Sequence, residues 1–379
     1  MKIEKEKINI FILMCFTGLV ICLGTFISYG SLGLDNYLKN EFVLSIPILL
    51  LMVLRDGESI FIVSKKHVWC LLIFAALASE IINGRIHIIN LCSMLLFVLS
   101  AVRLREQTYK ILIGAIIIAQ FIFFYFYRLE GYFNSYALTT AIAGIEIMLM
   151  LFISQRSRLW QVLTVFLVYF LVLFVMASRT SLLAFAVGGV ILILGSINQM
   201  EKNRYFTLCA VVILGLIFLW KYYDLIYELL FNKWINLGYS TVDMSSGRFT
   251  MWRDVVLNQK SLFGHGDNFA FDKYGHQDLH NIFIQVLGKY GIVCFLTFVI
   301  WLLDFVKKLV KLSNSYRLMF LSFFLFYFIA GMTENVLFLD CKVFMIAFCF
   351  CVNLAWFYKI SDLKKGESLL LLEREKNVR

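Results

Sequence analysis

The sequence predicts an all-α, polytopic integral membrane protein with about twelve transmembrane helices. Of its 379 residues, 61% are hydrophobic and only 16% are charged, whereas soluble domains are closer to half apolar and a quarter charged. Apolar runs of about 18 residues also recur from end to end, and each can cross a hydrocarbon core of ~30 Å. Because the runs do not alternate as barrel strands do, and because backbone groups in lipid must be bonded internally, the spans should be helices.

The chain is predicted to form a single membrane domain, residues 1–379, and its spans follow one another with short connections. The first span follows a charged segment with no small-residue cleavage site, so we expect it to be retained. Pro47 is the only proline, which gives little support to helices broken within the membrane. The predicted spans are 9–29, 41–54, 67–83, 86–102, 109–127, 135–154, 160–177, 181–198, 205–220, 281–304, 316–331 and 338–358.

The basic residues predict the orientation. Assigning alternate connections to the cytoplasm places 23 of the 35 Lys and Arg residues there and one in each short external turn, as the positive-inside rule requires. Both termini would then be cytoplasmic, the protein would lie in the cytoplasmic (inner) membrane, and residues 221–280 would form a long external loop between helices 9 and 10. The net charge of +10 is explained by this anchoring and does not indicate a nucleic-acid partner.

No metal or cofactor site is expected from the sequence. The nine cysteines lie almost entirely within predicted spans and none lies in the long loop, so they form neither a disulfide framework nor a metal-ligand pattern. Four of the five histidines are predicted on the external side, and His276 and His280 have the His-x-x-x-His spacing, but two histidines alone do not supply the three or four ligands of a zinc site. The sequence therefore predicts chemistry carried by protein side chains alone.

The long loop, residues 221–280, is the one interruption in the rhythm of apolar spans. A polar and aromatic connection of this length is unusual in a compact domain and suggests a functional role. Its first part, residues 221–238, has the spacing of an amphipathic helix on the membrane surface. After the serine pair at 245–246, which is suited to cap a helix, a second short helix is predicted to carry Phe249, Trp252 and Val256 on one face.

Three external residues have a chemical role when they are considered together. Alone, Arg179 is either an interfacial anchor or an anion ligand, Arg248 is a solvated loop residue, and His280 caps a helix or lies at the interface. Together, two guanidinium groups offer planar forks that match phosphate oxygens, and a histidine can accept a proton near neutral pH. An outward-facing cleft with a diphosphate ligand and a hydroxyl nucleophile would use all three.

The long loop and the helix after it resemble the O-antigen polymerase and ligase family, the Wzy-like membrane proteins of polysaccharide assembly. The resemblance covers about residues 178–291, and the rest of the chain resembles the family in topology alone. The chain lacks the proline that this family often has before its Phe-Gly turn. The residues that carry the resemblance are Ser178-Arg179-Thr180, Ser246-Gly247-Arg248 with Trp252, Phe263-Gly264-x-Gly266, and His280-Asn281 with Gly288 and Gly291.

The resemblance implies that a glycan on undecaprenyl diphosphate is transferred, with inversion, onto the hydroxyl of an acceptor sugar, without a metal. Arg179 and Arg248 would hold the diphosphate and His280 would act as base or orienter, with Trp252 also in the substrate site. Glu334 lies near a family acid, so it is either an acceptor-sugar contact or a solvated loop acid. Glu146, within a predicted span, is either a hydrogen-bonded structural acid or a functional carboxyl.

Three functions remain open on the sequence alone. The chain could be a polymerase of lipid-linked repeat units, a ligase that moves finished glycan to another acceptor, or a flippase of lipid-linked oligosaccharide or other transporter. A flippase should carry charges at several depths of its bundle, whereas here they gather at one face, which favours an enzyme. Lys outnumbers Arg 21 to 14, as in AT-rich genomes of bacteria that lack an outer membrane, which favours a capsular or exopolysaccharide polymerase. A flippase and a chain-length regulator would be its candidate protein partners.

Overall fold

The structure is a computed structural model that describes part of the chain, and every regular element in that part is helical, with no strand. Several predicted segments lie outside the described residues. They are the spans 9–29, 41–54 and 86–102, nearly all of the span 205–220, and most of the predicted surface helix 221–238. The described residues are 68–84, 109–118, 133–153, 159–176, 178–197, 220–221, 223–224, 248–266, 268–275, 279–334, 336 and 344–377.

Eleven α-helices are considered below, and most coincide with predicted spans. Two stretches, Arg179–Ile197 and Ile282–Val310, are long and apolar enough to cross a membrane by length and composition. The helices are α1 (Trp69–Ile82), α2 (Tyr109–Ile118), α3 (Phe133–Ile153), α4 (Leu159–Val175), α5 (Arg179–Ile197), α6 (Arg248–Asn258), α7 (Phe269–Tyr274), α8 (Ile282–Gln285), α9 (Gly291–Val310), α10 (Asn314–Gly331) and α11 (Phe344–Asn377).

Small residues on α5 bring it close to its neighbours. The hydroxyl of Ser322 on α10 donates to the Gly188 carbonyl at 2.7 Å, and a Cβ at Gly188 would lie 3.2 Å from the Ser322 backbone oxygen. One to two turns further along, a Cβ at Gly195 would lie 3.1 Å from Leu318. Rising residue numbers on α5 thus meet falling numbers on α10, so the two helices are antiparallel and packed through glycine, as is common between membrane helices.

The other side of the bundle is packed by aromatic side chains of α9, α10 and α11. Phe305 has its ring centroid 3.5 Å from that of Phe324 and 4.2 Å from that of Phe357. The indole nitrogen of buried Trp301 donates to the Tyr358 hydroxyl at 3.0 Å. Large rings supply much contact area while losing few rotatable bonds, so they fix these three helices relative to one another.

A small hydrogen-bonded group of polar side chains is buried within the bundle. Glu146 and Asn353 are fully buried, and Asn353 Nδ2 donates to Glu146 Oε1 at 2.5 Å. The Tyr109 hydroxyl donates to Asn353 Oδ1 at 2.8 Å. These bonds join α2, α3 and α11 through Oε1 of Glu146, as expected of a structural acid, whereas its buried Oε2 makes no hydrogen bond to the described residues.

The predicted span 281–304 is not one straight helix. The rings of Phe283 and Phe298 lie 5.7 Å apart, although fifteen residues of straight helix would separate them by about 22 Å. The chain passes from α8 through a π-helical turn, Val286–Tyr290, and bends at Gly291, where φ is +88°. The expectation of unbroken helices was therefore wrong here, because glycine rather than proline makes the break.

Candidate functional site

The break at Gly291 is closed by the Phe263-Gly264-x-Gly266 segment of the long loop. A helix that stops and restarts leaves carbonyl and N–H groups without partners. The backbone N–H groups of residues 265 and 266 donate to the carbonyls of 288 and 289, each at 3.1 Å. In return, the N–H groups of residues 292 and 293 donate to the carbonyls of 261 and 262 at 2.9 and 3.1 Å. The family-like glycine motif thus acts here as a backbone clamp on a broken helix.

Glycine is required where the two backbones of this clamp meet. Gly264 has φ +75°, and a Cβ there would lie 2.1 Å from the Lys289 carbonyl oxygen. At Gly291, with φ +88°, a Cβ would lie 2.2 Å from the Gly264 nitrogen. No side chain fits either position without moving the backbone, so residues 261–266 and 288–293 are held at a fixed spacing.

The clamp is also attached to the end of α1. The Ser79 hydroxyl donates to the Phe263 carbonyl at 2.6 Å, and Asn83 Nδ2 donates to the same oxygen at 2.9 Å. Ser79 is buried. These two side chains were not singled out in the sequence, because a serine and an asparagine near a helix end usually bond locally.

Helices α6 and α7 form a small core beside the clamp. Met251, Val255, Phe269 and Leu279 are buried together there. The predicted short helix after Ser246 is present as α6. Its predicted apolar face is not the buried one, however, since Phe249 and Val256 on that face are 67% and 43% exposed.

A charged cluster joins α6 to α7. The Tyr274 hydroxyl donates to Asp254 Oδ2 at 2.6 Å, Asn258 Nδ2 donates to Oδ1 at 2.7 Å, and Lys273 Nζ lies 3.2 Å from Oδ2. The bond from Tyr274 first, then that from Asn258 and the charge of Lys273, lower the pKa of Asp254 to about 2. Burial, and then the neighbouring carboxylate, raise the pKa of the Tyr274 hydroxyl. Asp254 is therefore ionised at any physiological pH.

The first turns of α6 hold two of the predicted site residues against the bundle. Arg248 Nη1 donates to the Thr333 carbonyl at 2.9 Å, and Trp252 Nε1 donates to the Leu279 carbonyl at 2.6 Å. Both side chains are partly buried. A guanidinium has five N–H donors, so one bond to Thr333 orients the Arg248 fork and leaves donors for a ligand.

His280 faces Glu334 at the entrance to α8. Its Nδ1 lies 3.6 Å from Glu334 Oε2, within ion-pair distance, with the two side chains 27% and 36% exposed. The backbone of His280 has φ +51°, a conformation uncommon for residues other than glycine. Asn281 next to it accepts hydrogen bonds from the amides of Phe283 and Ile284, so it caps the helix and fixes the direction of the turn.

Two further bonds hold the His280 turn, and they come from residues that were not proposed for the site. Asn281 Nδ2 donates to the Met332 carbonyl at 3.2 Å, and Gln285 Oε1 accepts from the Leu279 amide at 2.9 Å. An asparagine just before an apolar run is a recognisable helix cap, whereas nothing in the sequence marks the contact with Met332. Arg248, Asn281 and His280 therefore all reach the same turn, residues 332–334.

Arg179 lies at the same end of the bundle by helix register. Gly188 of α5 packs on Ser322 of α10, nine residues from Arg179 and nine from Gly331. Since both helices rise 1.5 Å per residue, Arg179 is level with the turn that follows Gly331. The structure thus brings His280 and Glu334 into contact and bonds Arg248 and Trp252 to the residues next to them, Thr333 and Leu279. Arg179 is placed at the same level by helix register alone.

The assembled residues suit the transfer of a group from an anionic leaving group. Arg248 supplies a fixed positive charge, and cations held in place stabilise charge that develops in a transition state. With its Nδ1 toward a carboxylate, the His280 imidazole can present Nε2 as a proton acceptor. In the part of the chain that the structure describes, no three His, Cys, Asp or Glu side chains are grouped to bind a metal ion.

Comparison with known proteins gives one family. The model of the O-antigen ligase family matches residues 164–299, just over a third of the chain, which confirms the resemblance over this segment. It contains Arg179, Arg248, Trp252 and His280, whereas Glu334 lies outside it. The match indicates a membrane enzyme of glycan assembly. No curated protein matches the chain.

Proposed function

We propose that this chain, whose residues 164–299 match the O-antigen ligase family, is a polysaccharide polymerase with about twelve transmembrane helices. It acts on oligosaccharide repeat units carried on undecaprenyl diphosphate at the outer face of the cytoplasmic membrane. The observation that supports the site is the meeting of Arg248 and His280 on one turn, residues 332–334, from separate parts of the chain. A charge-stabilising arginine and a proton-accepting histidine are the two groups that glycosyl transfer from a diphosphate needs.

In the proposed reaction the acceptor hydroxyl attacks the anomeric carbon of the donor sugar. The bond from that carbon to the diphosphate oxygen breaks, and the configuration inverts because attack and departure occur on opposite faces. His280 takes the hydroxyl proton, and Arg248 with Arg179 stabilises the departing diphosphate. Trp252 stays close to the site through its bond to Leu279, and its ring is suited to pack against a sugar.

The structure also suggests a role for Glu334 besides an acceptor-sugar contact. Its carboxylate lies on the Nδ1 side of His280 at 3.6 Å. A carboxylate there favours the tautomer with the proton on Nδ1, in which Nε2 carries the lone pair that can accept a proton. Glu334 is therefore proposed as a positioning residue for the imidazole.

The function is tested with purified protein and lipid-linked repeat units. Arg248→Lys keeps the charge but loses the fork, and because a charge-assisted bond is worth roughly 1.5–3 kcal/mol we expect at least about a tenfold loss of polymer formation. Arg179→Lys should behave likewise. Arg253→Lys is the matched control, since Arg253 is exposed on the same helix and should be silent.

Two outcomes would contradict the proposal. A normal polymer ladder from Arg248→Ala and His280→Ala, at expression equal to the wild type, would remove both residues from the reaction. A wild-type protein that leaves repeat units unchanged until a second acceptor is added, and then transfers finished glycan to it, would be a ligase rather than a polymerase.

A further inference from the structure

Helix α6 has an outward face that combines apolar and basic side chains. Met251 and Val255, on its inner side, point into the small core. Four exposed residues share the opposite side of the helix, within an arc of about 100°. Exposed apolar side chains that are grouped in this way mark an interaction surface. The four residues of the outward face are Phe249, Arg253, Val256 and Leu257.

The outward face is turned sideways, away from the bundle. Val255 on the inner side packs against the π-helical turn that precedes α9, where a Cβ at Gly288 would lie 3.3 Å from the Val255 Cγ1 atom. Helix α6 therefore rests against the side of a span that is long and apolar enough to cross a membrane. Its opposite side then faces what surrounds that span.

The level of α6 corresponds to a membrane boundary. Helix α9 has 20 residues and is about 30 Å long, which equals the thickness of the hydrocarbon core. Its first residue, Gly291, therefore lies at one boundary of the membrane. The carbonyls of Ser261 and Leu262, just after α6, accept bonds from the N–H groups of residues 292 and 293. Helix α6 is thus held at the level of the lipid headgroups, on the external side in the predicted orientation.

Leu262 continues an exposed apolar stripe of α9. The stripe contains Leu296, Ile300 and Leu303, which are exposed on one side of that helix. Val293 lies three residues before Leu296 and donates to the Leu262 carbonyl at 3.1 Å. Leu262 is itself 63% exposed, so it lies at the outer end of the stripe. Lipid that covers the stripe of a membrane helix would also reach Leu262 and the adjoining face of α6.

Two basic residues accompany these apolar side chains. Arg253 lies within the outward face and Lys260 lies just after the helix, and both are exposed. The carboxylate of Asp254 is turned toward α7, where it accepts the Tyr274 hydroxyl, and Asp272 is the exposed acid of α7. Long basic side chains can bury their hydrocarbon stems and keep the charge at the surface. Basic and apolar residues on one face at headgroup level are typical of helices that bind anionic membranes.

From this position and composition we propose that the outward face of α6, together with Leu262, lies in the headgroup layer of the outer leaflet and binds anionic phospholipid through Arg253 and Lys260. The inference goes beyond the proposed reaction and does not depend on it. It explains why the apolar residues Phe249 and Val256 are exposed although the rest of the loop forms a core. Arg253→Lys keeps the charge that a phosphate group needs, so it remains a silent control for polymer formation.

Spin labels test the position of the face in the full chain without its cysteines, in nanodiscs of phosphatidylcholine and phosphatidylglycerol. Nitroxides on Leu257→Cys and Leu262→Cys should collide more with oxygen, which concentrates in lipid, than with a water-soluble nickel chelate. A nitroxide on Asp272→Cys, an exposed position of α7, should show the reverse. More collisions with nickel at residues 257 and 262 would place the face in water, and few collisions with either reagent would place it against protein. Either result would overturn the proposal.

Photolabelling tests the choice of lipid in the same nanodiscs. Photoreactive phosphatidylglycerol should label the α6 peptides about tenfold more than photoreactive phosphatidylcholine, because each cation near the surface favours anionic lipid several-fold. Arg253→Gln combined with Lys260→Gln should abolish this preference. Lys307→Gln combined with Lys311→Gln removes two exposed charges at the other end of α9 and should leave it unchanged. Equal labelling of the wild type by the two lipids, or a preference that survives the first pair of substitutions, would refute anionic-lipid binding by this face.

Discussion

At the scale of single residues, the backbone of His280 is the most unusual feature of the site. A φ of +51° costs a residue with a side chain roughly 1–2 kcal/mol. Bonds on both sides hold the conformation, since Trp252 donates to Leu279 and Asn281 caps the following helix. Strain that is held in place by neighbours is common at functional sites, and here it directs the imidazole toward Glu334.

The first prediction distinguishes the two roles of Glu334. If Glu334 positions the imidazole, Glu334→Gln should lower kcat on the order of tenfold and leave KM for the acceptor sugar unchanged. If it binds the acceptor, KM should rise instead. Steady-state kinetics with a soluble acceptor analogue separates the two results, with unchanged expression as the control. A wild-type kcat and KM would leave Glu334 as a solvated loop acid.

The second prediction concerns metals. Guanidinium groups of Arg179 and Arg248 can neutralise a diphosphate without a divalent cation. We therefore expect polymer formation to continue in excess EDTA. An activity that disappears in chelator and returns with added Mg²⁺ or Mn²⁺ would refute the metal-free mechanism.

At the scale of elements, the clamp between the loop and the broken helix depends on backbone contact. Gly264 and Gly275 both have positive φ values, but a Cβ at Gly264 would lie 2.1 Å from the Lys289 oxygen, whereas one at Gly275 would meet nothing within 4 Å. Both alanine substitutions share the conformational cost of about 1–2 kcal/mol. Only Gly264→Ala also forces two backbones apart.

The third prediction follows from this pair. Gly264→Ala should lower the thermal unfolding midpoint in detergent far more than Gly275→Ala does. The additional loss in the free energy of unfolding should be about 2–3 kcal/mol. It should also reduce polymer formation, because the clamp fixes the His280 helix. Equal midpoints for the two variants would show that the clamp contributes little.

The fourth prediction concerns the joint between α6 and α7. A carboxylate whose pKa is lowered to about 2 in the folded state, from about 3.9 when unfolded, stabilises the fold at higher pH. This contribution is lost as the pH falls from about 4 to about 2. Trp252 fluorescence should therefore be constant from pH 8 to 5 and change only below about pH 4.

Asp254→Asn provides the control for this titration. The variant should lose the acid-dependent change in fluorescence while keeping the fold, because the amide can still accept the bond from Tyr274. A transition centred near neutral pH in the wild type would mean that another group controls the joint.

The elements also show what the sequence could and could not predict. The short helix with Arg248 and Trp252 was predicted because serine caps and apolar spacing act locally. Helix α7 was not, because six residues are too few for a periodic signal. The bend at Gly291 was missed because glycine is tolerated within membrane helices, and the bonds that permit it come from a segment 25 to 30 residues earlier.

At the scale of the whole molecule, long-range contacts decide the site. The sequence shows the family-like order of Arg179, Arg248, Trp252 and His280. Only the folded structure shows that Glu334 lies beside His280. The number of spans and their orientation stay predictions, because they rest on hydropathy and on the distribution of basic residues.

The fifth prediction tests the orientation. Lys273 in α7 and Ser313 between α9 and α10 lie at opposite ends of α9. In a background without the nine cysteines, Lys273→Cys should react with an impermeant thiol reagent in intact cells and Ser313→Cys should not. Labelling of both after membrane disruption is the control. Labelling at 313 in intact cells would reverse the orientation.

The separate small core of α6 and α7 has a consequence for hydrogen exchange. Met251, Val255, Phe269 and Leu279 form a cluster distinct from the main bundle core, so this pair of helices can open as a unit while the bundle stays folded. Such an opening breaks the bond of Arg248 to Thr333 and that of Trp252 to Leu279, whereas His280 and Glu334 stay on the bundle. The amides of α6 and α7 should then exchange together at one rate, and a bound diphosphate should slow them all equally.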